Sequence, residues 1–533
     1  MTNIAIIIPT RDEEANIARL LNDINTLPCK YDIQTYIVDD SKDDTQKIAS
    51  WYGAKVIQGR GNGLGQAIVD GIQGTESDVC LVMDADYSHD PKYIPDMLKP
   101  ILERGYDMTI GSRYVKGGGT QGWGKVRKCI SITAGLMALP ITGIRDNTSG
   151  FFAFKREILN GVKISASSWK IMLEILVKCN PTAVMEVPIV FADRTSGKSK
   201  FTIKEMRRYL KHIMLLGLHK YKPVIKFGVI GLSGAGIHFA LLWLLTDIAN
   251  VWYILSAVMS IVLASTWNYA LNHKITFTDR HISNHLIGWA KYQVLSGVTD
   301  GIYLGLLALF VEVFGIWYLA GAGIAAVLVF PIKYIVASML IWSKKLNPSD
   351  ANYEWNAFYK GSVIQKWWKH SIASAVWEWI PETEKLLDYG CGSSPIGAYY
   401  GDKAVGYDPN MEKLKFMRAK CPVVRYRNGS LRIMEETFSD IICIEVLEHL
   451  HNPESTICDI AYMVKTGGNV VLATPDYSRP LWTIAELFTP YKEEHIMKFT
   501  RKSLEVMCKR HSLELVDYKY VAGCDLVALF RKV

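Results

Sequence analysis

Val79-Cys80-Leu81-Val82-Met83-Asp84-Ala85-Asp86-Tyr87-Ser88-His89 is an apolar run that stops at two carboxylates spaced i and i+2. The run predicts a strand over 79–83, and a strand ending this way sets both carboxylates near the ligand-binding edge of a sheet. Paired oxygen ligands suit a hard divalent cation. Asp-x-Asp alone is common in surface loops, so its surroundings decide the reading. Short β-branched runs at 4–8, 34–38, 54–57 and 108–110 predict further strands, with helices at 13–24 and 65–72 between them. That alternation predicts a mostly parallel, doubly wound α/β sheet over the first 201 residues or so.

The chain has 533 residues, too many for one core, so about three domains are expected. Hydrophobic residues make up 49% and charged residues only 21%, and the apolar excess lies in four long runs near 224–246, 251–271, 292–312 and 316–342. Each run is long enough to cross about 30 Å of hydrocarbon as a helix. The connections at 246–252 and 312–318 carry no Lys or Arg, whereas Lys274, Arg280, Lys291, Lys344 and Lys345 lie on the other side. By the positive-inside rule, both ends of this segment face the cytoplasm. Nine Lys or Arg against one Glu205 fill 198–226, where a basic amphipathic helix over 202–222 is expected to lie in the interface. A basic block beside a membrane span reads as a contact with anionic lipids, not with nucleic acid. Asp300 and Lys333 sit deep within antiparallel spans and are expected to pair, because an isolated intramembrane charge is costly.

The ten cysteines form no C-x-x-C pair and have no His partner at ligand spacing, which argues against a cysteine zinc site and against a disulfide framework. The chain opens on a strand, with no basic region and apolar stretch ahead of it, so a cleaved signal peptide is not expected. From 350 to 533 strands and helices alternate again, with strands at 385–389, 404–407, 441–444 and 469–473, predicting a second parallel α/β domain.

Three sets of motifs carry resemblances. Pro9-Thr10-Arg11-Asp12-Glu13-Glu14, Val38-Asp39-Asp40-Ser41 and Asp84-Ala85-Asp86 follow in order, as do Ile110-Gly111-Ser112-Arg113-Tyr114, Trp123-x-x-x-Arg127-x-x-x-Ser131, Asp146-x-x-Ser149-Gly150-Phe151 and Arg194-x-x-Gly197-x-Ser199-Lys200. Together they resemble family 2 glycosyltransferases of the GT-A fold, in the dolichyl-phosphate mannosyl- and glucosyltransferase branch. The resemblance implies a nucleotide-sugar site at Pro9, Arg11, Glu13, Val38, Asp40, Asp84, Ala85 and Asp86. It implies Mg²⁺ or Mn²⁺ at Asp84, Asp86 and Ser88, and a catalytic set of Asp86, Arg113, Arg127, Ser131, Arg194 and Lys200 that holds donor and acceptor phosphates. The implied donor is GDP-mannose, with UDP-glucose second, and the implied acceptor a polyprenyl phosphate such as dolichyl phosphate. Arg11 stands where the family usually has Tyr, and Ser88 where relatives often have Gln.

The segment 227–342, with Asn268-Tyr269-Ala270-Leu271-Asn272-His273-Lys274 after its second span, resembles the GtrA-like four-helix domain. Leu386-Leu387-Asp388-Tyr389-Gly390-Cys391-Gly392-Ser393-Ser394, then Asp408, Ile444-Glu445-Val446-Leu447-Glu448-His449 and Lys465-Thr466-Gly467-Gly468, resemble class I S-adenosylmethionine-dependent methyltransferases. That resemblance implies a cofactor site at Asp388, Gly390, Gly392, Asp408 and Glu445. His449 and His495 read as structural, and the aromatic cluster at 353–379 reads as packing. The expected organisation is a GT-A domain at 1–201, interface helices at 202–222, a four-helix membrane domain at 223–345 and a methyltransferase-like domain at 350–533. Two rivals differ in class. A processive polysaccharide synthase would carry Q-x-x-R-W, which is absent. A non-catalytic membrane scaffold or flippase would not need Asp84, Asp86, Arg127 and Lys200.

Overall fold

The computed structural model describes residues 2–165, 170–192, 203–278, 280, 282, 284–342, 350–361, 363–429, 436–482 and 495–533. Two of the site residues implied above, Arg194 and Lys200, lie outside them.

The first region has strands β1 (Ile4–Thr10), β2 (Ile33–Asp39), β3 (Lys55–Gln58), β4 (Val79–Val82), β5 (Met108–Ser112), β6 (Gly119–Thr120), β7 (Phe152–Lys155), β8 (Val184–Pro188) and β9 (Val190–Phe191). Seven of them form one sheet in the order β3-β2-β1-β4-β7-β5-β8, and β6 pairs with β9 apart. All pairings in the large sheet are parallel except those of β7 with β4 and β5. Every residue of β1 is buried. The two-residue period of a strand sends Ile4, Ile6 and Ile8 to one core with Leu20, Leu21 and Ile24, and Ala5 and Ile7 to the opposite core with Ala67, Ile68 and Ile72. The helices Glu14–Asn25 and Leu64–Gln73 therefore cover opposite faces, and β1 is the strand where the winding reverses. A crevice opens beside such a strand at the carboxyl end of the sheet.

The last region repeats the plan with β10 (Leu386–Tyr389), β11 (Ala404–Tyr407), β12 (Arg425–Arg427), β13 (Phe438–Ile444), β14 (Val464–Pro475), β15 (Leu513–Val521) and β16 (Asp525–Lys532). Their order is β12-β11-β10-β13-β14-β16-β15, parallel up to β14 and antiparallel thereafter. The sequence treats the two α/β regions as separate, but Met1–Ile213 and Leu346–Val533 form one compact unit. Gly105 makes the close contact: at φ +73°, a Cβ there would lie 2.8 Å from both the Lys420 carbonyl oxygen and the Trp355 ring. Tyr106 packs edge-on against Tyr359, and Lys420 reaches Asp107 at 3.8 Å.

Met214–Lys345 is a second unit. Its four helices long and apolar enough to span a membrane are Lys222–Ile248, Tyr253–Thr276, His285–Val313 and Ala320–Ser338. The third begins seven residues before the expected 292. Its start is set by a cap, with the Asn284 side chain accepting from the Leu286 and Ile287 N–H groups. Lys291 interrupts the apolar run after that cap, so apolarity alone places the start too late. Gly234 lets two helices close, since a Cβ there would fall 2.3 Å from the Asn268 side-chain oxygen. Asp300 and Lys333 pair at 3.6 Å, as expected of two charges in apolar spans. In a double-mutant cycle of Asp300→Asn and Lys333→Met, measured by unfolding in detergent, the two losses should fail to add by about 0.5 kcal/mol or more. Strict additivity contradicts the pair.

Candidate active site

In the first region the carboxyl ends of β1, β2 and β4 bring the sequence-identified groups together. Pro9 of β1 lies in register with Val38 of β2. Beside them the fully buried Asp39 accepts hydrogen bonds from the Thr10 hydroxyl at 2.5 Å, the Ser41 hydroxyl at 2.6 Å and the Ser41 N–H at 3.0 Å. Asp39 is thus the brace between the two loops. Asp40 accepts from the Gly61 N–H at 3.0 Å, and a Cβ on Gly59 would strike its carboxylate at 2.3 Å. Glu13 accepts from the Asn16 amide at 2.8 Å, and Arg11 is exposed at the rim.

After β4 the chain turns through Asp84, Ala85, Asp86 and Tyr87. Tyr87 has φ +60°, a left-handed conformation that costs a side-chain-bearing residue roughly 1–3 kcal/mol. Its hydroxyl bond to Asp23 at 2.5 Å and the Arg19 guanidinium over its ring secure the turn. Asp84 is aimed by His89, whose Nδ1 accepts the Asp84 N–H at 3.1 Å while the ring stacks on Phe151. Burial holds the His89 pKa below its ordinary value, so the ring is neutral there. Gly150 leaves room on the other side, because a Cβ there would sit 3.1 Å from the Asp84 carboxylate. Asp86 accepts the Ser88 N–H at 3.1 Å. The Ser88 Oγ is buried with no hydrogen-bond partner among the described residues, next to these carboxylates. Carboxylate and hydroxyl oxygens are the donor type that a hard divalent cation takes, so Asp84, Asp86 and Ser88 could hold one.

Positive charge faces this set. Arg113 is buried against Asp146, which accepts from its N–H at 2.9 Å, its Nε at 2.8 Å and its Nη2 at 2.6 Å. Burial raises the Asp146 carboxyl, but the Arg113 hydrogen bonds and charge override it and hold it below the ordinary range. The structure thus engages Arg113 internally, a use its motif does not disclose. Ser131 accepts from the Tyr114 hydroxyl at 2.8 Å and meets the Thr148 hydroxyl at 3.2 Å. Arg127 lies over the Trp123 ring at 4.2 Å. Sequence reasoning missed Lys170. This buried side chain donates to the Thr148 carbonyl, and burial and then the Arg113 charge push its pKa down to about 7, while Asp84 and Asp146 pull it back up. No motif marked it, since it stands outside the ordered motifs.

In the second sheet, Gly390 (φ +74°) and Gly392 (φ +51°) form the turn after β10. A Cβ on Gly390 would meet Val446 at 2.5 Å. Asp408 at the end of β11 accepts the Gly392 N–H at 2.8 Å and the Asn410 N–H at 2.7 Å. Asp388 is buried behind Gly397, and burial followed by the Asp408 charge pushes its pKa up to about 7. Glu445 follows β13 with φ +54° and pairs with the half-buried Lys369. Two partners escaped the sequence reading. Glu354 accepts from the Ser393 N–H at 3.1 Å and from Lys413 at 2.6 Å, and Lys369 comes from the aromatic helix Val363–Trp379. Of that aromatic cluster, Trp355 and Phe358 are core, as expected. The turn, the Asp408 carboxylate beyond it and the nearby Glu354 and Glu445 fit a ligand with a ribose diol and an ammonium group.

Known proteins match region by region. Residues 5–162 match the model of glycosyl transferase family 2, 226–342 the GtrA/DPMS transmembrane domain and 364–518 a methyltransferase domain. The dolichol-phosphate mannosyltransferase of Pyrococcus furiosus is 33% identical over 354 residues, covering 64% of this chain and 99% of the relative. That of Saccharomyces cerevisiae is 30% identical over 236 residues, covering 41% of this chain and 88% of the relative. Among solved structures, glucosyl-3-phosphoglycerate synthase of Mycobacterium tuberculosis is 20% identical at a TM-score of 0.32, over 41% of this chain and 80% of that one, a likeness too low to bear on the fold.

Replacing Asp146 by Ala strands the buried Arg113 guanidinium, so denaturation of the purified chain should show a loss of about 3–5 kcal/mol. An unchanged unfolding midpoint contradicts the pairing.

Proposed function

Because this chain belongs to the family of the dolichol-phosphate mannosyltransferases, we propose that its first two regions move a hexose from a nucleotide donor to a polyprenyl phosphate at the cytoplasmic membrane face. Mannose from GDP-mannose is the proposed donor group, and UDP-glucose is the alternative. The observation that supports the reading is that Arg113 and Lys170 both feel the charge of Asp84, with the unpartnered buried Ser88 hydroxyl two residues after Asp86. A transferase joining two phosphorylated substrates must offset two anions at once, and these groups supply both signs.

In the proposed reaction Pro9, Glu13, Val38 and Asp40 hold the nucleoside, with Arg11 at the rim. Asp84, Asp86 and Ser88 hold Mg²⁺ or Mn²⁺, which when bound neutralises the leaving diphosphate. The acceptor phosphate, with a second pKa of about 6, is already ionised and needs no general base. Its oxygen attacks the anomeric carbon as the carbon–oxygen bond to the diphosphate breaks, with the bonding pair leaving on the diphosphate. A single displacement inverts the configuration. Arg127 and Ser131, on the helix Lys125–Thr142, are proposed to hold the acceptor phosphate together with Arg194 and Lys200. That helix exposes Ile130, Ile132, Leu136 and Met137, and the helix Ile203–Lys220 exposes Leu210, Met214, Leu215 and Leu218, surfaces suited to lipid beside a lipid-borne acceptor. Arg113 braces the Asp146 turn and contributes charge. The third region is proposed to bind S-adenosylmethionine through Gly390, Gly392, Asp408 and Glu445, with Asp388 supporting the turn from below, and to methylate a sugar or lipid of the same pathway. The proposed domain boundaries are 1–201, 202–222, 223–345 and 350–533.

Purified protein with Mg²⁺ or Mn²⁺ should load polyprenyl phosphate from one donor of a panel holding GDP-mannose and UDP-glucose. Asp84→Asn and Asp86→Asn should each lower turnover ~100-fold or more, the worth of several kcal/mol of charge stabilisation. Transfer from no donor overturns the reading. Lys170 adds a pH signature. With a pKa of about 7 it is mostly neutral at pH 8, and an anionic donor favours its charged form. Donor binding at pH 8 should therefore take up nearly one proton, read by calorimetry in buffers of different ionisation enthalpy. The uptake should vanish near pH 6 and in Lys170→Met, and uptake that persists in that variant contradicts the assignment.

A further inference from the structure

Glu448, His449 and His495 lie at the carboxyl edge of the second sheet, outside both sites described above. Their ligand atoms all fall within 4.8 Å of one another. The two histidines stand far apart in sequence, so no spacing pattern announces the group. The fold ties the two segments together directly, because the Ile496 and Met497 N–H groups donate to the Glu448 carbonyl at 2.8 and 3.0 Å.

We propose that Glu448, His449 and His495 form a binding site for a divalent transition cation. Two imidazoles and one carboxylate are a donor set that suits zinc, iron or cobalt better than magnesium or calcium, and three protein ligands leave coordination positions open. Bound tetrahedrally to one ion at about 2.0–2.2 Å, ligand atoms stand roughly 3.3–3.6 Å apart, so the trio needs only a short closure. The groups behind the ligands are in place. Thr474 donates its hydroxyl to Glu448 Oε2 at 3.0 Å, leaving Oε1 for the ion. The Tyr477 hydroxyl meets His495 Nδ1 at 2.8 Å, and Trp482 stacks flat on the same ring at 5.7 Å. An Nδ1–H directed at that hydroxyl leaves the Nε2 lone pair for a metal, the usual device for orienting a ligating histidine. The two imidazoles meet edge to face at 4.9 Å.

A second observation points to a cation independently. Asp525, at the start of β16, is 1% exposed, and its Oδ1 has no hydrogen-bond partner among the described residues, although Trp368 donates to its Oδ2 at 2.7 Å. Asp525 stands in register with Pro475, next to the Thr474 that holds Glu448, and its partner Trp368 meets Trp482, the ring stacked on His495. A buried carboxyl oxygen without a partner is costly, and a cation offers it a counter-charge.

The test uses the full chain in detergent, stripped with a chelator and carrying Asp84→Asn and Asp86→Asn to silence the other cation site. Titration with Zn²⁺ alone by calorimetry should give one bound equivalent. Titration with Co²⁺ alone should give visible ligand-field bands of nitrogen ligation. His449→Ala and His495→Ala should each weaken Zn²⁺ binding at least about tenfold. No saturable binding, Co²⁺ bands of an oxygen-only site, or an unchanged isotherm in the folded His449→Ala protein overturns the proposal. The Co²⁺ bands are read without any change to the trio, so they decide the question even where a histidine variant fails to fold.

Discussion

Charge opposition at the end of β4 is the constraint on which the first region depends. Asp84 and Asp86 stand together at a sheet edge, and the proposed substrates bring two further anions to the same place. Such a crevice works only if positive charge is built into the fold around it. Arg113 and Lys170 supply part of it, one secured by Asp146 and the other by the Thr148 carbonyl. Left-handed Tyr87, neutral His89 and the missing side chain of Gly150 then hold Asp84 in position. Each is explicable only as support for two carboxylates that the fold keeps close to each other.

The second sheet meets the same problem differently. Its carboxyl edge gathers Asp388, Asp408, Glu354, Glu445, Glu448 and Asp525, and burial and mutual repulsion push several of them up. Glu448 reaches a pKa of about 8, raised by burial and then by Glu445 and Asp525, whereas His495 falls to about 4 through burial and the nearby His449. Lysines answer some of that charge: Lys369 pairs with Glu445 and Lys413 with Glu354. One compact unit therefore contains two mainly parallel sheets whose carboxyl edges are balanced differently, by arginine and lysine around Asp84 in one and by half-buried lysine–glutamate pairs in the other.

The sequence made the scaffold readable because the two-residue period of buried strands is local. β1 and β4 stand where expected, with Asp84 and Asp86 directly after β4, and so does the Asp300–Lys333 pair; four apolar helices are found among the described residues, the third starting earlier than expected. What it hid depends on contacts between distant positions. The bracing role of Asp39 shows only with Thr10 beside it, and Glu354 carries no local signal that it meets the Ser393 turn. His449 and His495 each read as structural because their neighbourhood exists only once the residues after β13 and those from His495 onward are brought together. The interface through Gly105 escaped for the same reason, since a glycine in a loop carries no pattern that points to Lys420 or Trp355.

Direct displacement by an already ionised phosphate, within a crevice of balanced charge, is the core of the proposed chemistry. The anomeric configuration of the lipid-linked hexose, read by nuclear magnetic resonance on product made from an α-linked nucleotide sugar, tests it most directly. Direct displacement predicts a β-linked product. An α-linked product would mean two displacements through a covalent intermediate, for which the crevice would need a nucleophile in place of its charge balance, and would contradict it.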